Sequence, residues 1–545
     1  MNSSKKLKIL LLLFFFASLN LLKANNLQIT SVSLINKNTV DDYLYVQFNI
    51  SWDNSWRIST GAQNWDAAWV FIKFRVNGGE WQHASLSNID NEHVVPSGVD
   101  VDATSDGRGI FLYRSTTGSG NNNWPAVQFK WLYGNDGVAD NTTNIEIKVF
   151  GIEMVYVNEG PFYLGDGASV GRFWNTGDVN TNPAYISNTP IIVKCENTSL
   201  DDTQLEGDGI LVDGDGGIDM DGTTSVDNSN FPTGYRAFYC MKHEISNKQY
   251  AEFLNTLTRA QQQARTYRDI SGVPVLYPFP MNRNAQITSR NCIRYSNPSG
   301  GTAEPVYFFC DLNDNGVEGD DDDGENIALC YMGWPDGCAY SDWAGLRPMT
   351  ELEFEKACRG PENAIPYEFA WHTTNIYNVE YTFDASNGVG TVNSYPNNPG
   401  TGTQANVQWQ YTTGHDTQHD APLRVGMFAT SSSDRVNSGA SYYGILDLSG
   451  TMSERCVTLG KSQGRSFQGT HGDGLLSVAP LNPGDATNTD WPGLNDNTIQ
   501  TPQGSGLRGG DWNDGVNGLY VSNRSLAAED IYVPANVGPG TQFVS

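Results

Sequence analysis

The sequence predicts two unlike parts: an all-β sandwich over residues 25–150 and, behind it, a longer loop-rich region over 151–545 with short strands and few helices. Three observations carry this. Apolar and polar residues alternate with period two in short runs before residue 153. Only two segments later on have helical spacing together with a capping residue. Gly is abundant (57 of 545) while charged residues make up only 17%, a balance of loops rather than of long solvated helices.

In order along the chain, Lys5, Lys6 and Lys8 precede an apolar run from Ile9 to Phe16, and Ala24 closes the segment. This is the pattern of a secretory signal peptide over 1–24, and it predicts an exported protein in the periplasm, on the outer surface or outside the cell. The run is shorter than the ~20 residues a spanning helix needs, and nothing later is apolar enough, so no transmembrane segment is expected after signal removal. Strands are predicted over 27–34, 43–52, 68–76, 126–134 and 144–152, punctuated by Asn, Gly and Asp. A helix is expected over 246–267, opened by Ser246 with apolar residues at 250, 253, 254 and 257. A second is expected over 350–360, where Thr350 and Glu353 form a capping box and Gly360 ends the helix. The Gly/Asn/Asp/Ser stretches 195–233, 310–326, 374–440 and 461–505 read as surface insertions.

Composition narrows the function. With 33 Lys and Arg against 61 Asp and Glu, the formal charge is −28, which excludes sequence-independent nucleic-acid binding. The eight cysteines stand at 195, 240, 292, 310, 330, 338, 358 and 456, and in an exported chain disulfides are expected among them. There is no CxxC, hence no support for a zinc ribbon or a thioredoxin-like redox pair.

Five ordered blocks carry a family resemblance: MVYVNEGPFYLGDG (154–167), YRAFYCMKHEISNKQYAEFLN (235–255), GWPDGCAYSDWAGLRPMTELEFEKACRG (333–360), YYGILDLSGTMSERC (442–456) and LRGGDWNDGVNGLYVSNRSLAA (507–528). Together they resemble the sulfatase-modifying factor, or formylglycine-generating enzyme, family. The resemblance implies an α+β, C-type-lectin-like domain over 151–545, low in regular secondary structure. It also implies structural roles for Arg347, Glu351 and Glu355, and for the closing Arg508, Gly509, Gly510 and Trp512. The end of the chain, 536–545, stands where the family has a Gly-Phe-Arg strand, so an altered final strand is expected.

Family oxidases hold copper between two thiolates that lie two and seven residues after this Trp. Asp514 and Leu519 occupy those places, and no Cys follows Cys456. Copper is therefore not expected, and catalytic residues are expected to be absent. The related sulfoxide-synthase branch needs a helical iron domain; His415, His419 and Asp420 have HxxxH spacing but lie in turn-forming sequence. Calcium is the expected ion. Asp311, Asn313, Asn315 and Asp322, with Gly316 at the turn, have the spacing of an EF-hand loop, and Asp213, Asp215, Asp219 and Asp221 stand in a similar Gly-rich setting. The family's own calcium position, beside an Asn-Val-Trp-Glu-Trp block, is matched here only by Glu454, with Thr451, Ser453 and Arg455 as replacements.

The expected function is binding or assembly at the cell envelope, with a protein or glycan partner. The resemblance supports it, since similar domains lacking the Cys pair occur in gliding and secretion machinery of Bacteroidetes-type bacteria. Two alternatives stand beside it. One is a formylglycine-generating oxidase acting on sulfatase cysteines. The other is a carbohydrate-binding protein using an aromatic platform at Trp124, Trp409 or Trp491.

Overall fold

In the strand Tyr43–Arg57 every second residue from Leu44 to Trp52 is buried, as alternation requires of a strand with one face on a core. It lies between Gln28–Asn38 and Gly118–Trp131 in a three-stranded antiparallel sheet. The computed structural model that shows this describes residues 26–175, 181–188, 193–195, 210–212, 228–273, 278–281, 286–320, 322–376, 382–384, 391–394, 421–429, 433–528 and 543–544. The signal segment, Asp213, Asp215, Asp219, Asp221, Trp409, His415, His419, Asp420 and the side chain of Cys195 lie outside the described residues.

A second, ten-stranded sheet faces the first. Across it run Ser505–Arg508, Glu454–Val457, Arg347–Thr350, Phe543–Val544, Phe238–Met241, Ile145–Val157, Asp66–Val76, Ile110–Arg114 and Val99–Ala103, with Gln82–His83 pairing beside Asp66–Val76. The strand Asp66–Val76 is buried without alternation from Asp66 to Phe74 because both of its faces are covered. Ala68, Val70, Ile72 and Phe74 pack toward the three-stranded sheet. Trp69 and Phe71 pack on the other side, with Phe71 edge-on to Trp343 at 5.0 Å.

The helices are few and short: α1 Asn247–Leu254, α2 Arg259–Ala264, α3 Trp334–Ala344, α4 Glu351–Arg359, α5 Arg435–Ser438 and α6 Ser462–Arg465. The fold is thus mostly sheet. The single helix expected over 246–267 is two helices, because Thr258 and Gln261 form a second capping box that restarts the chain in a new direction. The strand expected over 144–152 runs on to Val157, so the boundary read at 150/151 falls inside one strand that pairs Asp66–Val76 on one side and Phe238–Met241 on the other. The expected altered end does make a strand, Phe543–Val544, seated between Arg347–Thr350 and Phe238–Met241. None of the helices among the described residues is long and apolar enough to cross a membrane.

Cys240, Cys292, Cys310, Cys330, Cys338, Cys358 and Cys456 are buried free thiols, so the expected bridges are not found among them. They pack as small apolar residues within the core clusters or the strands beside them. Neither Trp124 nor Trp491 offers a platform: Trp124 is buried edge-on against Trp52 at 4.7 Å, and Trp491 is buried with its indole N–H donating to the Thr470 carbonyl at 2.9 Å.

Candidate functional site

The Thr350 hydroxyl and the Glu353 carboxylate cap α4 reciprocally, and this fixes which helix face looks inward. Glu351 and Glu355 on that face are fully buried, and each collects guanidinium groups from the closing segment. Arg508 donates to Glu351 Oε2 at 2.9 Å and to Glu355 Oε1 at 2.7 Å. Arg524 grips Glu351 through Nε and Nη2 at 2.6 and 2.9 Å. Burial alone would raise the Glu351 carboxyl, yet Arg524 and Arg508 hold it below its ordinary value. Arg347 joins a different partner, Glu353, by two bonds of 2.9 and 2.6 Å. Both oxygens of each of these acids are engaged, and the pairs fasten α4 to the closing strand; the carboxylates leave no free oxygen for chemistry.

A different set of acids is not saturated. Glu454, on the strand beside Arg508, is completely buried, and neither of its carboxylate oxygens has a hydrogen-bond partner. Gly509, at φ +78°, lies against it so closely that a Cβ there would sit 2.2 Å from Glu454 Oε2. Glu244 receives the Met452 amide on Oε1 at 2.8 Å and leaves Oε2 unpaired. Asp447 takes the Gly426 amide at 2.6 Å. Asp511 stands in the same neighbourhood, its field reaching Glu244. Burial raises the carboxyls of Glu244 and Glu454 well above the ordinary range, and their mutual repulsion with Asp447 adds to it. Burial pushes Asp447 up to about 6. Burial and then Asp514 push Asp511 up to about 7. These acids form a buried, mutually repelling cluster around Glu454, where the family resemblance implies calcium, but no three of them bring an oxygen each within 4.8 Å of one another. Glu244, Asp447 and Asp511 are not among the site residues read from the sequence, although all three stand inside the blocks that carry the family resemblance.

The copper positions are filled otherwise. Asp514 accepts the Asp511 amide at 2.9 Å, and burial raises its carboxyl. Leu519 is fully buried in the core with Phe354 and Trp371. Trp512 packs with Cys330, Tyr331 and Met452, its indole N–H unpaired. No cysteine stands at either position, and a carboxylate with a leucine does not fit a soft metal.

This geometry agrees with the sequence comparisons. The profile of the Sulfatase-modifying factor enzyme 1-like domain matches residues 194–535, well over half of the chain. The chain belongs to that family. The formylglycine-generating enzyme of Mus musculus is 30% identical over 135 residues, which is 22% of this chain and 36% of that one. The formylglycine-generating enzyme of Bos taurus is 26% identical over 224 residues, 38% of this chain and 57% of that one. The matched stretches thus span about a third to somewhat over half of these curated members of the sulfatase-modifying factor family.

The EF-like loop keeps its Asx-turn geometry but engages Asp311 elsewhere. Asp311 accepts the amides of Asn315 and Gly316, each at 3.0 Å, and an Arg294 nitrogen at 2.5 Å. Asn313 and Asn315 turn their amide nitrogens toward Asp322 and Asp320, at 2.6 and 2.8 Å.

Proposed function

We propose that this chain is an exported, non-catalytic member of the family that acts in binding or assembly at the cell envelope or surface, with calcium as a structural ion. The observation that carries the reading is the replacement of the copper thiolates by Asp514 and by Leu519, the latter locked into the core. Leucine supplies no ligand atom, and bringing a distant thiol to its place would require repacking a core at near-crystalline density. The region behind the first strands is read as C-type-lectin-like, and the first strands as a sandwich. The two sheets that share Val46, Phe48, Val70 and Ile72 in one core support the second of these readings. Calcium would be held inside by Glu454, whose two oxygens are unpaired. There it would neutralise oxygens that otherwise stay unpaired and would tie the Glu454 strand to the turn at Gly509.

The test is direct. The purified chain is loaded with Cu(I) and incubated aerobically with a cysteine-containing sulfatase peptide, and the peptide is read by mass spectrometry. An unmodified peptide is expected, with no stoichiometric copper retained. Conversion of the cysteine to formylglycine would overturn the reading in favour of an oxidase.

A further inference from the structure

The loop 311–323 lies between the hairpin strand Tyr307–Cys310 and α3, far along the chain from the buried acids around Glu454. Among the described residues it holds the one set of three carboxylates with an oxygen from each within 4.8 Å of the others: Asp320, Asp322 and Asp323. Acids so close repel one another, and two neutral amides, from Asn313 and Asn315, are the donors that reach Asp322 and Asp320. The nearby cation, Arg294, is engaged by Asp311 and Asp314 at 2.5 and 3.0 Å.

Asp323 marks the set as more than a solvated acidic patch. Its side chain is buried, with 1% of the residue exposed. Its Oδ2 accepts the amides of Gly319 and Asp320 at 2.7 and 2.9 Å, while its Oδ1 has no partner at all. A buried carboxylate oxygen left unpaired is costly, and what it lacks is a positive charge. The donors are all oxygens, with no thiolate or imidazole in the set, which selects a hard cation; a flexible Gly-rich loop with adjustable ligand number suits Ca²⁺ better than Mg²⁺.

We infer that the loop binds a calcium ion through Asp320, Asp322 and Asp323, not through Asp311 as EF-hand spacing alone would place it. Water completes the shell, and the ion closes the loop on the Leu312 to Asp323 backbone bond, 3.1 Å long, that pins its two ends. This site is independent of the acids around Glu454 and of the proposed binding role.

The experiment is calcium chloride titration of the full chain by isothermal calorimetry after stripping with a chelator, using circular dichroism to confirm the fold. The wild type is expected to show a site with Kd of about 10⁻⁴ to 10⁻³ M, the range of extracellular modules. Asp322→Asn should weaken that site at least tenfold. Asp323→Asn should abolish it, while Asp311→Asn and Glu454→Gln leave it within about threefold. If Asp323→Asn fails to fold, Asp320→Asn decides in its place. The inference is overturned if the wild type takes up no calcium, if Asp311→Asn removes the site while Asp322→Asn spares it, or if Glu454→Gln removes all binding.

Discussion

Replacing Glu351 by Gln tests the claim that the acids of α4 are structural. Five donors converge on this carboxylate: Arg508 Nη1, Arg524 Nε and Nη2, the Thr458 hydroxyl at 3.2 Å and the Leu459 amide at 2.7 Å. Arg508 keeps Glu355 and the Val521 carbonyl after the change. Arg524 keeps only the Gly171 carbonyl at 2.8 Å and the Phe173 ring face at 4.1 Å, so one buried cation loses its counter-charge. Stranding a buried charge in this way costs about 3–5 kcal/mol. The surface pair Lys248–Glu325, with the lysine side chain 45% exposed, is the control: Glu325→Gln should cost less than about 1 kcal/mol. Urea denaturation followed by circular dichroism reads both. Glu351→Gln combined with Arg524→Met should recover at least half of the loss, because the stranded cation is gone. A Glu351→Gln protein within about 1 kcal/mol of wild type, or a double variant no better than the single, would falsify the structural assignment.

Three further outcomes follow from the same packing. Gly509→Ala forces a residue into φ +78° and places a Cβ 2.2 Å from Glu454 Oε2 and 2.8 Å from the Leu448 carbonyl, so a loss of roughly 2–5 kcal/mol is expected in thermal melts; a loss under about 1 kcal/mol would contradict the tight approach. Asp342 on α3 accepts the amides of Asp473 and Thr487 at 3.0 and 3.1 Å, and burial, then Asp473, push it up to about 7. A raised carboxyl contributes stability that is complete below its unfolded pKa and disappears as pH climbs through about 7, a swing on the order of 4 kcal/mol. The stability gap between wild type and Asp342→Asn should therefore narrow from pH 5 to pH 8, whereas a gap independent of pH would refute the shift. Burial raises the thiols of Cys240, Cys338, Cys358 and Cys456 well above their ordinary value, so iodoacetamide should label them only after unfolding; rapid labelling of the native chain at pH 8 would show that they are reachable.

Much of the architecture was legible because local signals agreed with the final packing. The Thr350 and Glu353 capping box predicted a helix ending at Gly360, and α4 runs from Glu351 to Arg359 with both halves of that box formed. The strands at Tyr43 and at Asp66 were both read as alternating segments, though the second is buried almost throughout because both of its faces are covered. Val99–Ala103 and Ile110–Arg114 escaped notice because they are only five residues long, too short for a period to establish itself. The break in the long helix was written in Thr258 and Gln261, a second cap overlooked behind a continuous helical spacing. The site was harder. Spacing placed Asp311 first among the ligands of its loop, but whether a carboxylate is free depends on what the fold brings to it, here Arg294 from a neighbouring strand. In the same way nothing local to Glu454 announces that both of its oxygens stand unpaired, since that depends on what the rest of the fold brings to them, and what comes closest there is Gly509, more than 50 residues away.

The placement of Phe543–Val544 bears on how the chain reaches this state. Cys240 pairs with Val544, and Arg347 pairs with the same residue from the other side, so the middle of the largest sheet is bridged by the last residues described. Such a closure has a very large sequence separation. Its loop entropy must be overcome late, after the shorter-range pairing of the Asp66 and Ile145 strands has formed. Until Phe543–Val544 is in place, Phe238–Met241 and Arg347–Thr350 each carry an open edge facing a gap one strand wide. An unfilled edge is where a nascent β protein pairs with the wrong chain, so the chain is most prone to aggregate before Phe543–Val544 docks.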